Sequence, residues 1–101
     1  MILYNVTVNI DSDVEQDWIT WMKETHIPEV MDTGYFMEYR MLKMLTEEED
    51  ETGTTYAIQY MANTLAQLEE YLHTVAPKLQ KASIIRYGTK MAAFRTVLEE
   101  V

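Results

Sequence analysis

The chain has no cysteine. That excludes a disulfide framework, a thiolate metal site and a cysteine nucleophile, and it suits a reducing cytoplasm. Glycine occurs three times and proline twice. The glycines stand apart from one another, so no glycine-rich phosphate loop can form. Two histidines, distant in sequence, give no zinc spacing, and the expectation is neither metal nor cofactor. No apolar run approaches the roughly 18 residues that a membrane-spanning helix requires. The opening MILYNVTVNI lacks a basic leader and a small-residue cleavage site, so it reads as a strand of the fold and not as a signal peptide. Basic residues are scarce: eight stand against seventeen acidic ones, for a net charge of −9. Such a surface repels phosphate backbones and anionic lipid, so neither nucleic acid nor membrane is an expected partner.

What is present is 101 residues, 48% of them apolar, enough for one domain over 1–101 with a single core. From Ile2 to Ile10 the alternation is strict, with Ile2, Tyr4, Val6, Val8 and Ile10 on one side, which predicts a half-buried strand. Ser12 and Glu15 stand at capping-box spacing before a helix whose apolar stripe is Val14, Trp18, Trp21, Met22 and Thr25. Pro28 disfavours helical backbone at Ile27, so this helix is expected to end near His26, with PEVMD forming a short second turn closed by Gly34. Tyr35 to Leu45 and Thr54 to Ala62 read as an antiparallel hairpin. Its tip is the acidic block Glu47 to Glu51, which lacks the spaced ligands of a calcium loop and reads as a solvated tip. Thr64 and Gln67 repeat the capping-box spacing before a helix with the stripe Leu65, Leu68, Tyr71, Leu72, Val75 and Leu79, and Pro77 is expected near its end. Ile84 to Tyr87 and Met91 to Leu98 are expected to be extended.

The resulting order, βαββαβ, is the ferredoxin-like α+β arrangement: a four-stranded antiparallel sheet with two helices on one face. The other face is left uncovered. Strand by strand, the residues expected there are Leu3, Asn5, Thr7 and Asn9; Phe36, Glu38, Arg40, Leu42 and Met44; Ala57, Gln59 and Met61; and Met91, Ala93, Arg95 and Val97. This mixture is too apolar to leave in water and too polar to bury without partners. Two copies placed sheet to sheet would cover it and enclose a chamber lined by amides and guanidinium groups.

The segments YNVTVNI, W-x-x-WMKETHIPEVMDTGYF, YAIQY and MAAFRT, in this order and spacing, resemble an uncharacterised family, domain of unknown function number forty-two eighty-six. The match spans essentially the whole chain, and the Trp-to-Gly segment is its most specific part. The element order is also similar to the wider dimeric α+β barrel superfamily, which includes cofactor-free monooxygenases, haem-degrading oxygenases, small isomerases and effector-binding modules. The narrow resemblance implies the fold and no activity. The wide one implies only that ligands tend to sit between sheet and helices or in the barrel interior.

His26 is the one acid–base candidate, placed at a helix end where nearby carbonyls favour its protonated form. The competing reading is a histidine that simply closes the helix. Asn5, Arg40, Gln59 and Arg95 are the candidate ligand-binding groups. Trp18 and Trp21, three apart on the buried stripe, read as core. Tyr4, Tyr56 and Tyr60 belong to central strands, at a core edge or lining a pocket. The functional expectation is a homodimer, formed through the open sheet face, that binds a small anionic ligand. The alternatives are a cofactor-independent monooxygenase or isomerase-like enzyme, and a non-enzymatic module whose sheet face or acidic loop meets another protein.

Overall fold

The structure, a computed structural model, describes residues 1–46 and 52–101; the acidic block at 47–51 lies outside them. The elements are β1 (Ile2–Ile10), α1 (Glu15–Trp21), a π-helical turn (Met22–His26), α2 (Ile27–Asp32), β2 (Glu38–Lys43), β3 (Thr54–Ala62), α3 (Leu65–Thr74), α4 (Ala76–Tyr87), a 3-10 turn (Gly88–Lys90) and β4 (Met91–Glu99). The four strands form one antiparallel sheet in the order β2-β3-β1-β4. The expected ferredoxin-like architecture is present, with the most apolar strands in the centre.

The alternation of β1 does what its pattern dictates. Ile2, Tyr4, Val8 and Ile10 are buried under the helices, opposite Ala62, Tyr60, Tyr56 and Thr54 of β3. Trp18, Ile27, Ile58 and Leu68 are almost wholly buried around them. A second, aromatic part of this core gathers Tyr4, Phe36, Tyr60 and Tyr71, with ring centroids 4.9–6.2 Å apart. Phe36, expected on the uncovered face, is therefore a core residue; it precedes β2 and is not bound by that strand's alternation.

Three further expectations are corrected. First, Pro28 does not end the helix, because Ile27 keeps helical dihedrals and its N–H reaches Met22 O, five residues back. The wider π turn accommodates a residue that lacks an N–H and crowds the carbonyl four before it, so the helix runs from Glu15 to Asp32 without a break. Second, the cap of α1 is Val14, with no side-chain hydrogen bond. Glu15 accepts instead from Tyr56 Oη at 2.5 Å and from Thr54 Oγ1 at 3.4 Å, which ties the helix to β3. Third, Ile84–Tyr87 is the last turn of α4 and not a strand. Pro77 opens that helix rather than ending the previous one, since a first-turn residue has no N–H to lose. The Thr64 cap is present as expected, accepting from Gln67 N at 3.2 Å, but Leu65 lies off the buried face of α3 and is exposed.

Candidate functional site

The helices cover β3 and β1 but leave β4 poorly covered, and a cavity of about 40 Å³ lies in the gap. Its floor is Tyr4, Val6 and Val8 of β1 with Ile58 and Tyr60 of β3. Val6 is only partly buried although it sits on a central strand, packing against the core on one side and lining the cavity on the other. Trp18, Met22, His26 and Val30 reach in from the first helix, and Tyr71, Leu79, Gln80 and Ser83 from α3 and α4. Met91, Ala93 and Arg95 of β4 complete the lining. Ala93 and Arg95 are exposed as well as lining, which puts the mouth at the β4 edge.

Strand register decides which candidates meet here. Val6 pairs with Arg95, Val8 with Ala93 and Ile10 with Met91. Directly opposed residues share a face, so Arg95, Met91, Ala93 and Val97 lie on the helix side. That corrects the expectation that these four belong to the uncovered face. Arg95 consequently joins His26 at the cavity, whereas Asn5, Arg40 and Gln59 remain on the opposite face of the sheet. The five candidates split into two groups.

His26 is the last residue of the π turn, its ring stacked on Trp21 at 4.8 Å and 25°. Trp21 is held in turn by Tyr87, edge-on at 5.6 Å, and by the Arg86 guanidinium 5.7 Å above its ring. Tyr87 Oη donates to Asp17 at 2.9 Å, and Arg86 donates to the same carboxylate. A chain of contacts from α4 thus fixes the orientation of His26. Burial, with the Arg95 charge adding to it, pushes the His26 pKa from 6.5 down to about 4. The ring is neutral in the physiological range, the reverse of the protonated form expected from its helix-end position. The loss of hydration outweighs the pull of the helix carbonyls.

The tyrosines point the same way. Burial raises the Tyr4 hydroxyl above the usual range, with Arg95 opposing through its charge and both Arg95 and Gln80 opposing as hydrogen-bond partners. Burial raises Tyr60 and Tyr71 further, each reinforced by neighbouring tyrosines. All three hydroxyls keep their protons at neutral pH and serve as donors. No Asp or Glu lines the cavity among the described residues. Gln80 and Ser83 were not anticipated. Ser83 belongs to the buried face Ala76, Leu79, Ser83 and Tyr87 of α4, a helical spacing that becomes readable once Pro77 is taken as a helix start.

On the opposite face, Arg40, Gln59, Asn5 and Thr96 pair in one row across all four strands. On one side of this polar belt runs the row Leu42, Ala57, Thr7 and Phe94; on the other, Glu38, Met61, Leu3 and Leu98. Leu42, Phe94 and Leu98 are between 45% and 63% exposed, so this face carries apolar side chains into solvent. Asn5 Nδ2 donates to Thr7 Oγ1, while its Oδ1 is buried without a donor.

Comparison with known proteins places the chain. The family model described as Domain of unknown function (DUF4286) matches residues 1–101. No protein of curated function matches. Among solved structures, the chain is similar to an ethd-family protein of Bacillus halodurans C-125, with TM-score 0.73 and 12% identity over 100% of both chains. It is similar also to a dimeric ferredoxin-like protein from an uncultured marine organism, with TM-score 0.67 and 13% identity over 99% of this chain and 97% of that one. A third is described as an antibiotic biosynthesis monooxygenase of Deinococcus radiodurans, with TM-score 0.63 and 10% identity over 100% and 93%. At these identities the likeness shows the fold alone.

Proposed function

The chain belongs to the family Domain of unknown function (DUF4286), and from that premise, which carries no reaction with it, we propose a homodimer that binds a small anion in the Arg95 cavity. One observation carries the reading. In a chain of net charge −9, the one formally charged residue among those lining the cavity is a cation. Around Arg95 stand groups that donate: the hydroxyls of Tyr4, Tyr60 and Tyr71, the Ser83 hydroxyl and the Gln80 amide. A carboxylate or enolate brought there gains a charge-assisted hydrogen bond and, among the described residues, meets no competing anion in the lining.

The volume limits the ligand. A cavity of about 40 Å³ is a few times the roughly 10–15 Å³ that a single water needs, so the anion is small. The uncovered face is the partner surface, its apolar rows packing against a second copy while the Asn5, Arg40 and Gln59 belt lies between them. The reading keeps the protein in the cytoplasm, in line with the lack of cysteine; among the described residues no helix is long and apolar enough to cross a membrane. Binding, and not turnover, is the function favoured, because the described lining residues include no carboxylate base, the tyrosines hold their protons and the depressed pKa of His26 makes it a weak base.

The test is a thermal-unfolding and NMR titration series with short-chain carboxylates. Binding stabilises the native state by RT ln(1 + [L]/Kd), so propionate at about 100 Kd is expected to add about 2.7 kcal/mol. Shift changes should cluster at the cavity, and Arg95→Met should abolish both effects. A carboxylate response that Arg95→Met leaves intact would place the anion elsewhere.

A further inference from the structure

The two nitrogens of His26 are not equivalent. Nδ1 is sealed from solvent and has no hydrogen-bond partner, which leaves Nε2 as the nitrogen able to meet a ligand. A proton on Nδ1 would be a buried N–H without an acceptor, the rarest kind of orphan in folded proteins. The neutral ring therefore carries its proton on Nε2. The charged ring would need a proton on both nitrogens, and the depressed pKa agrees that this form is disfavoured. Arg95 is the charged neighbour on β4, and the titratable groups lining the same cavity are Tyr4 of β1, Tyr60 of β3 and Tyr71 of α3.

Arg95 and His26 thus offer two donors to one small space, the first charged and the second neutral. The tyrosine hydroxyls add more donors. A ligand that satisfies both has an anionic group and, close to it, an uncharged acceptor. The most compact molecule of that kind carries an oxo group on the carbon next to a carboxylate. We propose that His26 acts here as a neutral N–H donor and not as a base, and that the site takes a small 2-oxo acid, carboxylate on Arg95 and oxo oxygen on His26 Nε2. The proposal rests on the anion-binding reading above and narrows it to one chemical class. A 2-hydroxy acid fits less well, because its hydroxyl brings a further proton into a donor-rich space.

The experiment is an NMR titration of the full-length protein with pyruvate, lactate and propionate, three acids of one chain length. For the wild type, pyruvate is expected to bind about tenfold tighter than propionate, the worth of one hydrogen bond to a neutral acceptor. Lactate should fall between them. His26→Gln, which keeps an amide donor, should preserve most of the ratio, and His26→Phe should bring it to about one. Arg95→Met should weaken all three acids. Should His26→Phe fail to fold, nitrogen-15 spectra of wild-type His26 decide the donor assignment, and a proton found on Nδ1 overturns it. Pyruvate and propionate binding equally, with Arg95 still required, would overturn the 2-oxo assignment and leave the anion site standing. Lactate matching pyruvate would overturn it too. No binding of any acid at millimolar concentration would remove both readings.

Discussion

His26 shows how one side chain takes its properties from several elements at once. The π turn sets its position, Trp21 its tilt, and Arg95 part of its charge preference. Its depressed pKa has a direct consequence for stability. Between pH 6.5 and about 4, the unfolded chain binds a proton at this residue that the folded chain does not. The stabilising contribution is therefore fully present above pH 6.5 and is lost as the pH falls toward 4, for a total on the order of 3 kcal/mol. Urea unfolding of wild type and His26→Phe at a series of pH values should diverge across this window. Parallel curves would mean that the ring titrates in the folded protein much as it does in the unfolded chain.

At the scale of elements, the clearest strain point is the turn entering β3. Gly53 has φ +93°, and a Cβ there would lie 2.3 Å from the Ile10 carbonyl oxygen. Gly53→Ala combines left-handed backbone cost, about 1–2 kcal/mol, with a clash against main chain that cannot rotate away. The expected loss is at least 2 kcal/mol, measured as a shift of the urea midpoint at constant slope. A neutral substitution would show that this turn adjusts freely. Elements with one dominant signal were legible in the sequence: the alternation of β1, the Thr64 cap and the pairing of β3. Those where two signals compete were not. Glu15 sits at capping-box spacing from Ser12, but Tyr56 and Thr54 offer its carboxylate partners of longer range. Pro28 and Pro77 are breakers by local rule, yet a π turn absorbs the first and a helix start the second. In β4 both faces are apolar, Met91, Ala93 and Val97 against Ala92, Phe94 and Leu98, so alternation could not say which side Arg95 would take. That ambiguity is why only part of the candidate site was legible.

For the whole molecule, the sheet separates two faces of the same strands. Odd residues of β1 and β3 build the outer face and even residues the cavity, so a substitution on one side need not disturb the chemistry of the other. Phe94, 63% exposed, and Leu42 belong to the outer face. Phe94→Glu and Leu42→Glu are each expected to shift the protein toward an 11.9 kDa monomer in sedimentation equilibrium at micromolar concentration, because a buried carboxylate without a partner costs several kcal/mol per copy. Both variants should keep the His26 and Arg95 resonances of the wild type. A wild type that sediments as a monomer at these concentrations would assign the apolar rows to a different partner.

The 3-10 turn Gly88–Lys90 feeds β4 into the sheet and is pinned where Asp11 N meets Lys90 O at 2.9 Å and Lys90 Nζ meets Asp13 at 2.6 Å. It acts as a register stop. One residue added between Gly88 and Met91, with the pairing of β4 otherwise kept, would bring Phe94 to the place of Arg95 and carry the guanidinium through to the outer face. The sign of the cavity is thus written in the length of a three-residue turn that never touches its contents. Relatives that differ by a single insertion there would share the fold and lose the cation from the cavity lining.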